Sequence, residues 1–145
     1  MGKKREVFFQ RKKKNNVSLV DAIVAATNGV IFVSETDSPV LVFAGDDTGT
    51  DARETILRHA GLAGDTLTEE VQFDVFFAQL TTIKDWFGEA EMTRAKKFLR
   101  IKKLLEENLC DLKVYRFGRI RVDIYAVGID ADGRLLGIKT KAVET

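Results

Sequence analysis

Few side chains in this 145-residue sequence are of the kind that perform chemistry, and they are scattered. The densest group is Gly45-Asp46-Asp47-Thr48-Gly49-Thr50-Asp51, which follows the apolar run Val40-Leu41-Val42-Phe43-Ala44. Carboxylates in such a place are able to attack an electrophile or hold a cation. A single histidine, His59, leaves too few soft ligands for a zinc site, and a single cysteine, Cys110, excludes an internal disulfide. His59 has no Ser or Cys nucleophile pattern beside it, so it is a poor catalytic candidate. Cys110 follows a long helical pattern and is expected to be buried and inert. No GxGxxG, Gly-rich lysine loop, metal-spaced His or Cys pair or nucleophile elbow occurs. The reading is therefore of a protein that is not an enzyme and carries neither cofactor nor metal of its own.

The aspartate loop faintly resembles the nucleophile loop of haloacid-dehalogenase-type phosphatases and P-type pumps. Those enzymes also require a downstream lysine and a further acidic pair on later strands of a larger parallel sheet. Here Gly64-Asp65 comes too soon, and no lysine lies between Asp51 and Thr82. The loop is better read as a turn in which Thr50 or Asp51 caps a short helix through Ala60, with Ile56 and Leu57 facing inward.

Charge divides the chain unevenly. Residues 1–16 hold seven Lys or Arg against one Glu, while the whole chain is only +1, so the remainder is net negative by five. The basic segment reads as a disordered, solvated arm preceding a domain at 17–145; direct nucleic-acid binding by the arm is the less favoured reading. With 45% apolar residues, no run near the roughly 20 apolar residues of a membrane span and no signal-peptide pattern, a cytoplasmic protein is expected.

The elements follow from periodicity. Ser18 and Asp21 open a helix with Leu19, Val20, Ile23 and Ala26 on its apolar face, closed at Asn28-Gly29. Val30 to Val33 reads as a buried strand and Val40 to Ala44 as its hairpin partner, with Ser34 to Pro39, including Glu35, as the loop between. Residues 61–70 read as irregular, Val71 to Phe73 as an edge strand, and Asp74 as the cap of a helix carrying Phe76, Phe77 and Leu80. Trp86, the only tryptophan, stands between this helix and a longer one from Glu89 to about Leu109. It is either a core anchor or a half-exposed binding residue. Ile120, Val122, Ile124 and Ala126 then alternate with Arg119, Arg121, Asp123 and Tyr125, an apolar face against a polar one. Asp130-Ala131-Asp132-Gly133 turns the chain, and a second strand alternating at Leu136, Ile138, Thr140 and Ala142 runs almost to Thr145. Residues alone thus imply an α/β binding domain with an acidic body and an ordered C-terminal hairpin.

Ordered across this frame are Asn28-Gly29-Val30-Ile31-Phe32-Val33-Ser34-Glu35-Thr36-Asp37-Ser38-Pro39, then Phe76-Phe77, Thr81-Thr82 and Asp85-Trp86. Val114-Tyr115-Arg116 with Gly118, Asp123, Tyr125 and Gly128 follow, and finally Gly137 to Thr145. This series resembles the nuclease A inhibitor family over residues 17–145, least in 45–70. The resemblance implies a three-layer α/β/α sandwich with a mainly antiparallel or mixed sheet. It also implies inhibition of a sugar-non-specific, metal-dependent nuclease of the ββα-metal type by plugging its active site. The contacting residues carry over to Glu35, Asp85, Trp86 and Thr145, the last approaching the partner's metal ion. Lys84 stands in the same segment where the family pattern has a neutral amide, and Ile83 where it has a proline, so tuning to another nuclease is expected. The alternative is an interaction or nucleic-acid-associated module of the same family without inhibitory activity.

Overall fold

The computed structural model describes residues 19–45 and 51–145; the basic arm, the Ser18 cap and the aspartates Asp46 and Asp47 lie outside them. Along the chain come α1 over residues 19–27, β1 Ile31–Val33, β2 Asp37–Pro39, β3 Leu41–Ala44, α2 Ala52–Ala60 and β4 Thr68–Val71. They are followed by α3 Phe73–Thr81, α4 Glu89–Asn108, β5 Cys110–Phe117, β6 Arg121–Ile129 and β7 Leu135–Val143. Among the described residues this is a mixed α/β fold. A five-stranded antiparallel sheet has the order β3-β7-β6-β5-β4, and β1 and β2 form a separate two-stranded sheet.

Successive strand residues point to opposite faces, and the core divides accordingly. Val114, Val122, Ile124, Ala126, Leu136 and Ile138 join Ile23 of α1, Phe73 and Phe77 of α3, and Phe98, Ile101 and Leu105 of α4. Their neighbours of opposite parity, Tyr115, Phe117, Tyr125, Val127 and Leu135, join Phe43 and the α2 residues Ile56 and Leu57. Each Val, Leu, Ile or Phe among them contributes about 1.5–3 kcal/mol on full burial. The expected polar face of β6 is thus half covered. From Ile124 to Gly128 every residue is buried, because a strand packed on both sides reads as a run rather than an alternation. Ile120, expected on the apolar face, is exposed and lies outside the strand.

Helix ends largely follow local chemistry. Asp51 caps α2, its Oδ1 accepting from the Arg53 N–H at 3.3 Å. In α4, Ala95, Phe98, Ile101 and Leu105 face inward, whereas Met92 and Leu99 remain exposed. Gly88 has no side chain to give, so only half of a capping box exists there: its N–H donates to Glu91 Oε1 at 3.1 Å.

Four expectations give way to tertiary pairing. The hairpin is formed by β1 and β2, in register Ile31↔Pro39, and residues 40–44 leave it to pair with β7 instead. Proline is tolerated in β2 because a short two-stranded ribbon leaves its missing N–H without penalty. Residues 68–71 are a strand, since β5 supplies a ladder that their own sequence does not advertise. Gln72 rather than Asp74 is the N-cap of α3, and Asp74 sits in the first turn. Cys110 is exposed, not buried. The register of β5 against β6 shifts between Cys110 and Lys113, and Asp111 takes a left-handed φ of 52°; such a bulge re-aims the side chains around it.

Both tyrosines of the chain, Tyr115 and Tyr125, are buried. Burial, with the charges of Glu70 and Asp51 adding to it, pushes the Tyr115 hydroxyl up to about 12. Burial and Asp123 likewise raise Tyr125. The folded state therefore holds these protons above the pH at which the unfolded chain releases them. For Tyr115 the stability contributed is complete below about pH 10 and declines as pH rises toward 12. Ultraviolet titration of tyrosinate should show no ordinary step near pH 10 in the native protein; such a step would contradict the buried placement.

Candidate functional site

The terminal hairpin is built first by its turn. Asp130 is buried, and its Oδ1 accepts from the Asp132 and Arg134 N–H groups at 2.9 and 2.8 Å. Gly133 takes a left-handed φ of 81°, and its N–H closes the turn by donating to the Asp130 carbonyl at 3.0 Å. The β6–β7 ladder then runs unbroken from Ile129↔Leu135 to Arg121↔Val143. Midway, Gly137 lets the strands close up: a Cβ there would lie 2.0 Å from the Ala126 carbonyl oxygen.

At the far end of β7, the tip of the small hairpin takes over as partner. Val143 N–H donates to Ser34 Oγ at 3.0 Å, and the Glu35 N–H donates to the Val143 carbonyl at 3.3 Å. Ser34 Oγ in turn donates to the Thr36 carbonyl at 3.0 Å, so one hydroxyl both shapes the tip and receives the strand. The side chains of Glu35 and Thr145 consequently meet. Thr145 Oγ1 donates to Glu35 Oε1 at 2.6 Å, and both residues are exposed. Glu144 is held from the opposite side by its N–H to the Ile120 carbonyl at 2.8 Å and by an ion pair with Arg116.

Lys84, Asp85 and Trp86 occupy a separate turn between α3 and α4. Thr82 ends α3, its hydroxyl donating to the Ala78 carbonyl at 2.7 Å. A tight turn follows, closed by the Phe87 N–H donating to the Lys84 carbonyl at 3.0 Å. All three turn residues are exposed, Trp86 by 70%, which excludes the core-anchor reading. Its indole meets Phe87 edge to face, with centroids 4.8 Å apart, and Phe87 is half-buried. Ile83, also on this segment, is 51% exposed. The structure therefore joins Glu35 to Thr145 directly and places Lys84, Asp85 and Trp86 together on their own turn. The two parts are linked through the body: Phe32 of β1 stacks on Phe76 of α3 at 6.1 Å, and Gly29, Val30 and Ile31 share a cleft with Glu89, Ala90 and Thr93 of α4.

Ser34, Arg116 and Glu144 stand in the ordered series of the sequence, but none was given a role there. No local signal shows what ties them to this site, because the partners concerned lie 109 residues away for Ser34 and 28 for the Arg116–Glu144 pair. Other candidates stay apart from this region. His59 contacts Phe43 edge to face at 5.6 Å, and Cys110 Sγ lies 3.5 Å from the Ile129 carbonyl. Asp46 and Asp47 are outside the described residues. Among the described residues, no group of three or more His, Cys, Asp or Glu could hold a metal ion, and no helix is long and apolar enough to cross a membrane.

Comparison with known proteins places residues 17–145 under a family model described as nuclease A inhibitor-like protein. No curated protein matches the chain.

Proposed function

The chain belongs to the nuclease A inhibitor-like family, and from that premise we propose that it inhibits a sugar-non-specific endonuclease of the ββα-metal type by plugging its active site. The observation that carries this reading is the exposed pairing of Thr145 with Glu35 on a tip stitched to the end of β7. A nuclease must hold a scissile phosphate beside a divalent cation and cationic side chains, so its cleft attracts anionic oxygen. Glu35 and Asp85 offer carboxylates to arginines that would otherwise take phosphate, in charge-assisted bonds. The Thr145 hydroxyl approaches the nuclease's metal ion or its water shell. Trp86 supplies the apolar contact that keeps those bonds dry, and Lys84 beside it selects among nucleases by repelling clefts that are cationic at that point. The two core clusters on opposite faces of the large sheet support a three-layer α/β/α sandwich as the scaffold that carries these groups.

Titrating the purified protein into a ββα-metal nuclease acting on DNA tests this. At fixed DNA, the amount of protein needed for full inhibition should scale with the nuclease, one copy per nuclease. An amount that scales with DNA and not with nuclease would instead mean that the protein sequesters substrate. Undiminished activity of every such nuclease at micromolar protein would remove the reading.

A further inference from the structure

Arg116 belongs to β5, and β6 lies between β5 and β7 in the sheet; its guanidinium nevertheless reaches Glu144, the residue that follows the end of β7. Its Nε faces Glu69 Oε1 of β4 at 3.2 Å, while Nη2 takes Glu144 Oε1. One planar fork thus engages two carboxylates from opposite directions, a geometry that a lysine ammonium does not offer. The arginine side chain is 20% exposed, against 69% for Glu69 and 47% for Glu144. It is therefore the anchored partner, and the carboxylates come to it.

The consequence falls on Thr145. The regular ladder ends at Arg121↔Val143. Beyond it, Glu144 is held by its N–H bond to Ile120 and by Arg116, and Thr145 by its hydroxyl bond to Glu35. Residues beyond the end of a ladder fray unless something ties them down, and an ordered segment gives up less entropy when it binds. Resting on the inhibitor reading above, we propose that Arg116 is a positioning residue of the inhibitory surface. Without touching the nuclease, it clamps Glu144 so that Thr145 and Glu35 are presented as a preformed unit. Glu69, on the opposite side of the guanidinium, keeps it aimed across β6.

Removing the guanidinium leaves two exposed carboxylates that water can solvate, so the folding cost is small. Arg116→Gln should weaken inhibition about tenfold through lost preorganisation, with Arg116→Lys recovering part of the loss and the melting temperature nearly unchanged. The amide ¹⁵N heteronuclear NOE of Thr145 should fall in Arg116→Gln whether or not a nuclease is present. In a chain lacking Glu144 and Thr145, Arg116→Gln should have no further effect, since the two changes act through one element. An equal tenfold loss in the truncated chain would overturn the proposal, because Arg116 would then act on the fold or touch the nuclease. Unchanged Thr145 order in Arg116→Gln would overturn the clamp while leaving the inhibitor reading intact. A native protein that inhibits no nuclease, although Thr145 loosens in Arg116→Gln, would overturn the inhibitor reading and, with it, this role for the clamp.

Discussion

Extending the chain by one glycine after Thr145 is expected to weaken inhibition about a hundredfold, roughly 2.7 kcal/mol, without lowering the melting temperature. The Thr145 hydroxyl is already committed to Glu35 at 2.6 Å, and the backbone leading to it is held at Val143 and Glu144. An appended residue therefore cannot be accommodated by sliding the strand back, because a slip of one residue would turn every side chain of β7 to the other face of the sheet. It must project forward, into the space that the nuclease's metal ion and arginines would occupy. Separating a buried charge pair typically costs about 2–5 kcal/mol at an interface, and the hundredfold estimate lies at the lower end of that range. The inhibition constant of the extended protein, measured by titration, decides it; a constant equal to that of the native chain would place Thr145 outside the contact.

Trp86→Ala carries the second large effect, and it is expected to separate binding from stability. The indole is 70% exposed and meets the ring of the neighbouring Phe87 edge to face. Removing it should change folding stability by no more than about 0.5 kcal/mol, as is usual for surface substitutions. Buried in a nuclease interface, a tryptophan is the residue type most often found to dominate binding, at about 2–4 kcal/mol on truncation. Inhibition should then fall by between about 30-fold and 1,000-fold. Calorimetric titration and thermal unfolding of the same variant provide the two readouts. A large drop in melting temperature would mean that Trp86 serves the fold, and unaltered affinity would remove it from the interface.

Elements specified by neighbours in the chain were legible from the residues. The Asp51 cap, the long helix and the Asp130–Gly133 turn each rest on contacts within a few positions, so residue type and spacing suffice to find them. Strand partners were less legible. Residues 40–44 read as the return strand of the first hairpin because nothing local distinguishes that partner from β7, which lies about a hundred residues further on. Cys110 reads as buried because it follows the long helical pattern, whereas it is exposed at the point where the register of β5 against β6 shifts.

The candidate site divides along the same line. Glu35, Lys84, Asp85, Trp86 and Thr145 could be named from the ordered resemblance to an inhibitor family, together with the acidic balance of residues 17–145. Which of them meet was decided by tertiary structure alone. Glu35 and Thr145 stand 110 positions apart and touch because Ser34 and Glu35 capture the end of β7. Lys84, Asp85 and Trp86 remain on a turn of their own, exposed because Thr82 ends α3 before them and Gly88 begins α4 after them. The physical reason is common to both outcomes. Propensity, caps and turns act over a few residues, whereas sheet register brings together groups with no contact along the chain, and that register placed Arg116 within reach of the residue before Thr145.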